Sequence, residues 1–326
     1  MDAGREGMDA VIAGLFPGQG SHTKEMRAQT ETYAPHLLCA CIELVGEDPF
    51  LRVTESTRFA QPAIFCASIA SLAAHRLATG SPSPGAYAGH SLGELAALVA
   101  ADALDCEVAL RLAVLRGALM AEAGERDGRG GMLALIGAST EQCERLAAAH
   151  DVHVANENAP GQTVLAGQLA DLERVVKPAR EEGCRAIMLD VAGAFHSPEM
   201  ASALEPFRVA LRKETVRTPK VPVISGATAS PFVDVREQLL EAIVKPVRWS
   251  ATMKALAALG ANRFIDFGPG RVLARLLVRN VPDAEAIAPS VPAEMERSRG
   301  DHVSADSQAG SLAARQAQEV LARDAC

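Results

Sequence analysis

Aromatic residues and clustered basic residues are scarce in this sequence. Phe, Trp and Tyr together make up 4% of its 326 residues, too few for the stacking platforms on which single-stranded nucleic acids bind. The formal net charge is -8, and no lysine- or arginine-rich run forms a basic stripe. These absences exclude nucleic acid as the expected partner and indicate an ordinary, mildly acidic globular protein.

Paired cysteines and long apolar runs are missing as well. The seven cysteines are an odd number and include no Cys-x-x-Cys pair, so we expect buried, reduced thiols and no disulfide framework. No stretch reaches the about 18 uninterrupted apolar residues that a membrane span requires. The first residues are polar and charged, unlike a signal peptide, so we expect a cytoplasmic protein that does not contact membranes.

Short apolar segments that end at glycines alternate with longer helical patterns. Residues 10–16 predict a buried strand that enters a Pro-Gly-Gln-Gly loop, and residues 61–78 predict a buried helix. A very short strand at 86–88 precedes a Gly-His-Ser-Leu-Gly turn and an apolar run over 95–101. Strand, sharp turn and helix in this order are typical of a parallel α/β arrangement.

The pattern changes after a glycine-rich connection at residues 124–131. From there to residue 191 we predict a strand, a helix, two strands around a turn at 158–161, a second helix and a last strand. This order is that of a ferredoxin-like unit. The unit is inserted, because a strand at 264–267 and a helix from Val272 resume the α/β pattern.

The last part of the chain, residues 293–326, has low apolar density and reads as a polar tail. Two interpretations of this tail stay open. Residues 312–322 could form one exposed helix that binds a partner, or the tail could be frayed and without a role.

The pentapeptide Gly-His-Ser-Leu-Gly at 89–93 predicts a nucleophile elbow. A sharp strand-to-helix turn exposes the hydroxyl of Ser91, and its backbone tolerates little except glycine two residues to either side. The helix that follows aims its N–H groups at the site, so the Leu92 N–H is the expected oxyanion donor. A plain glycine-rich turn is the alternative.

A serine hydroxyl needs a base to attack near neutral pH. His196 follows a predicted strand and lies on a loop between glycine and proline, where it is placed to reach a cleft. His22 and His90 lie in motifs, where they could shape loops. The other histidines lie on helical faces, on short strands or in the tail, and are His36, His75, His150, His153 and His302. The residues alone favour His196 modestly over these.

Five motifs together resemble the malonyl-CoA:acyl carrier protein transacylases, a family of fatty-acid enzymes and stand-alone acyltransferases of polyketide synthesis. The motifs are Phe-Pro-Gly-Gln-Gly-Ser-His at 16–22, Gly-His-Ser-Leu-Gly-Glu at 89–94, Leu-Arg-Gly-Ala-Leu-Met at 115–120, Gly-Ala-Phe-His-Ser at 193–197 and Gly-Pro-Gly-Arg-Val-Leu at 268–273. They follow the family's order. The resemblance implies an α/β fold, with an α/β-hydrolase-like large subdomain (8–126 and 198–292) that carries an inserted ferredoxin-like small subdomain (127–197).

The resemblance also implies the catalytic roles. Ser91 is similar to the family's nucleophile and His196 to its base, while Gln19 and Leu92 match the two oxyanion-hole amides. The family holds its histidine with a backbone carbonyl rather than an acid. The matching carbonyl here is that of Lys245, where relatives often have Asn, a tolerable departure because the backbone makes the contact.

Three further residues resemble the family's substrate-binding positions. Arg116, which follows the apolar helical pattern of 108–115, matches the residue that pairs bidentately with the malonyl carboxylate. Its sequence context alone would favour a surface arginine in an ordinary ion pair. Gln61 matches a position that lines the site. Phe195 resembles the malonyl-choosing pattern, where relatives that take methylmalonyl often have Ser, a preference worth about 1–3 kcal/mol.

The resemblance thus implies an enzyme that moves malonyl from malonyl-CoA, through an acyl-Ser91 ester, to the phosphopantetheine thiol of an acyl carrier protein. It implies no metal and no tightly bound cofactor, and we expect a monomer. The tail after Ser290 and the departure at Lys245 favour a polyketide pathway slightly over fatty-acid synthesis.

Three alternatives stay open. An editing hydrolase that removes acyl groups from carrier proteins would not need the carboxylate-binding Arg116. A non-catalytic docking subunit would have no reason to keep Ser91, His196, Gln19 and Arg116 together. A generic esterase would have an acidic third member of the catalytic triad, which the resemblance does not provide.

Overall fold

The computed structural model describes residues 11–80, 83–127 and 130–292. Within these residues the strands are β1 (Val11–Phe16), β2 (Ala86–Gly89), β3 (Gly130–Ile136), β4 (His153–Ala159), β5 (Gln162–Gln168), β6 (Arg185–Met188), β7 (Val223–Ile224), β8 (Ala261–Asp266) and β9 (Glu285–Ile287). The helices are α1 (Met26–Tyr33), α2 (Pro35–Val45), α3 (Thr57–Thr79), α4 (Gly93–Ala100), α5 (Cys106–Asp127), α6 (Thr140–Ala149), α7 (Leu169–Glu181), α8 (Leu204–Lys213), α9 (Val235–Val244), α10 (Trp249–Ala258) and α11 (Val272–Asn280). The predicted tail at 293–326 lies outside the described residues.

A parallel five-stranded sheet forms the larger part of the structure, in the order β7-β2-β1-β8-β9. Its central strand, β1, pairs with β2 on one side and β8 on the other. Small residues in β1 let large side chains pack onto the sheet, since a Cβ on Gly14 would lie 2.5 Å from the Tyr87 ring. The carboxyl ends of β1 and β2 lead into the two loops that carry the motifs at 16–22 and 89–93.

A second, antiparallel sheet has the order β4-β5-β3-β6. Helices α6 and α7 connect its strands, so the chain order is strand, helix, two strands, helix, strand. This is the predicted ferredoxin-like order, and the α/β class with two sheets is confirmed. The two sheets meet at Val247, whose N–H donates to Ala155 at 2.8 Å and whose carbonyl accepts from Glu157 at 2.9 Å.

Helix α3 is the buried helix that the sequence predicts, and it packs closely against α5. Its apolar side chains belong to the main core together with those of α4 and α5. Burial of these faces is the main favourable contribution to folding, at about 25 cal/mol per Å² of apolar surface. None of the described helices is long and apolar enough to cross a membrane. No disulfide joins the six described cysteines, of which five are buried and Cys39 is exposed.

Helix α5 continues past residues 115 and 124, where the sequence pattern suggested that a helix ends. Arg116 does not follow a helix but lies inside α5, which also contains Gly117 and Gly124. A Cβ on Gly117 would lie 2.9 Å from the Thr57 carbonyl oxygen, and one on Gly124 would lie 2.3 Å from that of Ala192. These glycines allow close packing against α5 rather than ending it.

The small sheet also differs from the prediction in detail. Asn158 lies in β4 rather than in the turn, which is confined to Pro160 and Gly161, where Gly161 has a φ of 68°. Strand β6 ends at Met188 instead of residue 191. The three residues that follow line a cavity between the sheets, so the strand ends where the chain turns toward that cavity.

Candidate active site

A cavity of about 430 Å³ lies where the loops of the parallel sheet face the small sheet. Residues from both sheets line it, which places it in the cleft between the two parts of the fold. Seven of the eight predicted site residues are among its lining residues: Gln19, Gln61, Ser91, Leu92, Arg116, Phe195 and His196. The eighth, Lys245, does not line it.

Ser91 lies between β2 and α4 in a backbone conformation that is rare for non-glycine residues, with a φ of 54°. The glycines on either side make this turn possible. A Cβ on Gly89 would lie 1.9 Å from the Gly93 carbonyl carbon, and one on Gly93 would lie 2.0 Å from the Phe16 carbonyl oxygen. Only glycine fits these two positions, as expected for a nucleophile elbow.

Ser91 Oγ lies 2.8 Å from Nε2 of His196, across 105 residues of sequence. His196 also has a positive φ, of 61°. Such strained residues persist only where the surrounding structure holds them in place, and they are frequent at functional sites. The structure therefore brings together the predicted nucleophile and the predicted base.

The Ala242 carbonyl, which was not predicted, also holds His196. His196 Nδ1 lies 2.9 Å from the Ala242 carbonyl oxygen, in the last turn of α9, and the predicted carbonyl of Lys245 acts on the same imidazole. The Ala242 carbonyl is free because its helical partner would be the N–H of residue 246, which is a proline. Lys245 precedes that proline in an extended conformation with a ψ of 154°. Its carbonyl raises the pKa of His196 less than the Ala242 carbonyl does.

This contact sets the tautomer and charge of His196. Nδ1 donates to a carbonyl, so the proton is on Nδ1 and Nε2 is free to accept the Ser91 hydroxyl proton. Burial and, to a smaller extent, the charge of Arg116 lower the pKa of His196 to about 3, while the Ala242 carbonyl opposes the shift. The imidazole is therefore neutral near pH 7, as a base must be.

Arg116 is a buried cation in the wall of the cavity, with 4% of its surface exposed. Its Nη1 donates to Gln61 Oε1 at 2.7 Å, and its Nη2 donates to Ser91 Oγ at 3.1 Å. Gln61 is held in turn by donation to the Thr57 hydroxyl at 2.8 Å. Burial lowers the pKa of Arg116 to about 10, which leaves it charged near pH 7. A buried cation beside the nucleophile is chemically suited to bind an anion, and the binding of a substrate carboxylate by Arg116 stays a prediction.

The predicted oxyanion donors lie beside the serine. In the part of the chain that the structure describes, neither the Leu92 N–H nor the Gln19 N–H donates to a backbone carbonyl. Both residues line the cavity, and Leu92 is the N-terminal boundary residue of α4. Free N–H groups at a helix N-terminus can stabilise a negatively charged oxygen. That these two N–H groups bind the oxyanion of the substrate stays a prediction.

Phe195 and several apolar side chains form the remaining wall of the cavity. Phe195 is 7% exposed and packs in the main core while facing the cavity next to His196. The other apolar lining residues include Met120, Met132 and Val164. The role of Phe195 in choosing malonyl stays a prediction.

Strand β4 contributes to the cavity wall, which was not predicted from the sequence. Asn158 lines the cavity, and its Oδ1 lies 2.9 Å from Nε2 of His90. Its carbonyl accepts from Asn280 Nδ2 at 2.8 Å. His90 packs against Trp249, with ring centroids 5.3 Å apart, and burial lowers its pKa. The only signal in the sequence is the position of His90 next to the nucleophile, which could not identify a partner 68 residues away.

The sequence matches known proteins over most of its length. A sequence model of the acyl transferase domain matches residues 32–317. The polyketide biosynthesis protein ThaF of Burkholderia thailandensis is 37% identical over 287 residues, which are 84% of this chain and 24% of ThaF. The chain thus spans about a quarter of that relative. The malonyl CoA-acyl carrier protein transacylase of Haemophilus influenzae is 34% identical over 295 residues, 85% of this chain and 94% of the relative.

The fold also matches a solved structure. An acyl carrier protein S-malonyltransferase from Vibrio cholerae superposes with a TM-score of 0.79 at 32% sequence identity. The match covers 89% of this chain and 100% of that one. The two chains therefore share a fold over most of their length.

Proposed function

This chain belongs to the acyl transferase domain family, and we propose that it transfers malonyl groups from coenzyme A to an acyl carrier protein. One observation carries the proposal: a single hydroxyl, that of Ser91, contacts both a neutral base and a buried cation in one cavity. The base activates a nucleophile, and the cation matches an acyl group that bears a carboxylate. The printed names of the relatives describe the same reaction.

In the first half of the reaction, the Ser91 hydroxyl transfers its proton to His196 Nε2 and attacks the thioester carbonyl. The Leu92 and Gln19 N–H groups stabilise the oxyanion of the tetrahedral intermediate. The carbon–sulfur bond then breaks, His196 returns the proton to the leaving thiolate, and coenzyme A departs as a thiol. The malonyl group remains on Ser91 as an ester.

The second half reverses these steps with a different thiol. The phosphopantetheine thiol of the carrier protein gives its proton to His196 and attacks the ester carbonyl. The carbon–oxygen bond breaks, and Ser91 takes the proton back. Arg116 pairs with the malonyl carboxylate throughout. The protein needs no tightly bound cofactor, because both thiols arrive with the substrate and the partner.

ThaF supports a polyketide pathway for this chain, because it is a polyketide biosynthesis protein. Transfer rates to a carrier protein of fatty-acid synthesis and to one of polyketide synthesis can test that preference. A faster transfer to the fatty-acid carrier would contradict it. The cytoplasmic location and the monomeric state stay predictions.

Intact-mass measurement tests the transfer itself. After incubation with malonyl-CoA, we expect the mass of one malonyl group on Ser91, and its loss when a carrier protein is added. The Ser91→Ala variant should show no adduct. Ser230→Ala, which changes an exposed serine that does not line the cavity, should behave as the wild type. Release of free malonate without transfer would instead support an editing hydrolase.

A further inference from the structure

Glu94 is a buried carboxyl group that the mechanism above does not use. It lies in the first turn of α4, three residues after Ser91, and is 1% exposed. It does not line the cavity, whereas Arg116 does. Glutamate is almost never fully buried unless it is paired, because burial of an unpaired carboxylate is costly. The partners of this carboxyl therefore indicate what it does.

One fixed hydrogen bond holds the carboxyl in place. Glu94 Oε1 accepts from the Gly226 N–H at 2.7 Å, in the loop after β7. The Ser225 hydroxyl faces the same carboxyl outside hydrogen-bonding geometry. A carboxyl with one backbone donor is incompletely stabilised as an anion. Its charge therefore depends strongly on any cation nearby.

Arg116 is that cation. The charge of Arg116 lowers the pKa of Glu94, and the charge of Glu94 raises the pKa of Arg116. Arg116 nevertheless directs its two terminal nitrogens to Gln61 and Ser91. Both groups adjoin the nucleophile, because the Glu94 N–H donates to the Ser91 carbonyl at 3.0 Å and Arg116 donates to Ser91 Oγ, but only Arg116 lines the cavity.

The other elements packed against α4 bring no second charge to Glu94. Strand β1 contains no titratable residue. Strand β2 contains Tyr87, whose pKa responds to Arg76 and Asp102 instead. On α3 the residues that line the cavity are the neutral Thr57 and Gln61, and burial lowers the pKa of His90, in the elbow. Among the described residues, the charge balance behind the site is therefore a balance between Glu94 and Arg116.

We propose that Glu94 competes with the substrate's carboxylate for Arg116, so that binding of a carboxylated acyl group is accompanied by proton uptake at Glu94. The two carboxylates would share one cation, in a region largely closed to water. Linkage requires that an anion bound to Arg116 favours the protonated form of Glu94, and that protonated Glu94 favours the bound anion to the same degree. Glu94 acts through Arg116 and is therefore a positioning residue. This inference rests on the proposed function.

The ionisation of Glu94 agrees with this geometry. Burial raises the pKa of Glu94 to about 7, and the Gly226 N–H, the charge of Arg116 and the Ser225 hydroxyl oppose that shift. An incoming carboxylate on Arg116 weakens the effect of the Arg116 charge, which raises the pKa further. Since His196 is neutral in this range, the proton goes to Glu94.

Calorimetry of the Ser91→Ala protein tests the inference without turnover. Binding of malonyl-CoA and of acetyl-CoA is measured near pH 7.5 in two buffers with different heats of ionisation. Because both ligands carry the same coenzyme A, the difference in proton uptake isolates the carboxylate. We expect malonyl-CoA to take up about half a proton more than acetyl-CoA. This difference should vanish when Glu94→Gln is added, since glutamine can still accept the Gly226 N–H.

Asp266→Asn is the matched control. Asp266 is also buried, burial raises its pKa to about 6, and it accepts from the N–H groups of Leu273 and Ala274 rather than facing Arg116. The uptake difference should survive this change. A zero difference in the parent protein, or a difference that persists in Glu94→Gln, would overturn the inference. If malonyl-CoA forms no adduct on Ser91 in the wild type, the proposed function fails instead.

Discussion

At the scale of single residues, the site depends on a cation held beside a nucleophile. Gln61 and Thr57 orient Arg116 from one side, and Ser91 accepts its second terminal nitrogen. Among the described residues, no carboxylate is a hydrogen-bond partner of this guanidinium. A substrate carboxylate would therefore bond to the guanidinium directly, whereas an uncharged acyl group would leave this buried cation without a directly bonded anion.

Replacement of Arg116 should separate the two kinds of substrate. We expect Arg116→Ala to lower acylation by malonyl-CoA about a hundredfold or more, because loss of a buried charge pair costs about 2–5 kcal/mol. Acylation by acetyl-CoA should fall much less. Arg116→Lys should recover only part of the malonyl rate, since an ammonium cannot form two parallel hydrogen bonds. Intact-mass time courses measure both rates, and equal losses with the two substrates would show a structural role only.

The pH dependence of acylation should reflect a base that stays neutral. A histidine with its usual pKa would produce a loss of rate as the pH falls through about 6.5. Burial lowers the pKa of His196 to about 3, so this loss should occur only near that lower pH. In the Glu94→Gln protein, which lacks the buried carboxyl with a pKa of about 7, we expect a flat rate from about pH 8 to about pH 5.5 with an acetyl thioester that lacks the coenzyme A phosphates. Stopped-flow acylation rates can be measured directly, and a titration near pH 6.5 would contradict the assignment.

At the scale of secondary-structure elements, the end of α9 decides how His196 is held. The helix ends at Val244, and Pro246 cannot donate to the Ala242 carbonyl. That carbonyl is therefore available to the imidazole. A local feature of the chain, a proline after a helix, thus replaces the acidic residue that orients the histidine in many serine enzymes.

Pro246→Ala tests this dependence on the helix end. An N–H at residue 246 could close one more helical bond to the Ala242 carbonyl and compete with His196 for it. We expect a fall of about tenfold in the acylation rate with little change in KM, because misorientation of a base affects the chemical step. Pro178→Ala, which replaces a proline inside α7, is the matched control and should leave the acylation rate unchanged. An unchanged rate in Pro246→Ala would show that the Lys245 carbonyl suffices.

At the scale of the whole molecule, the cavity exists because two sheets are held against each other. Helix α11 of the larger part contacts the β4–β5 hairpin of the smaller part. Arg279 donates to the Gln162 side chain and to the Pro160 carbonyl, both at 2.6 Å. Asn280 donates to the carbonyl of Asn158, which lines the cavity. The position of this wall is therefore set by contacts distant from Ser91.

Asn280→Ala should loosen this connection. The hydrogen bond to Asn158 is partly buried, so its loss should lower the free energy of unfolding by about 1–2 kcal/mol. It should also raise KM for malonyl-CoA, because the cavity wall would no longer be fixed. Urea unfolding and steady-state kinetics measure the two effects. Arg263→Ala, which breaks an exposed ion pair with Glu285 on the sheet edge, should change neither by much.

The local pattern of the sequence determined the elbow and both types of sheet. Glycines at 89 and 93 permit one backbone turn, and alternation of short apolar runs with helical patterns indicated both the parallel core and the ferredoxin-like unit. These features depend on neighbouring residues along the chain. The motifs in order also located Ser91, His196 and Arg116, which the cavity brings together.

Which groups contact one another depends on the packing of the folded chain. This packing added the Ala242 carbonyl as a partner of His196, placed Asn158 beside His90, and buried Glu94 where the charge of Arg116 acts on it. Each of these contacts joins segments that are distant in sequence or depends on the exact end of a helix. Spacing along the chain does not encode such distances, because packing of the two sheets sets them.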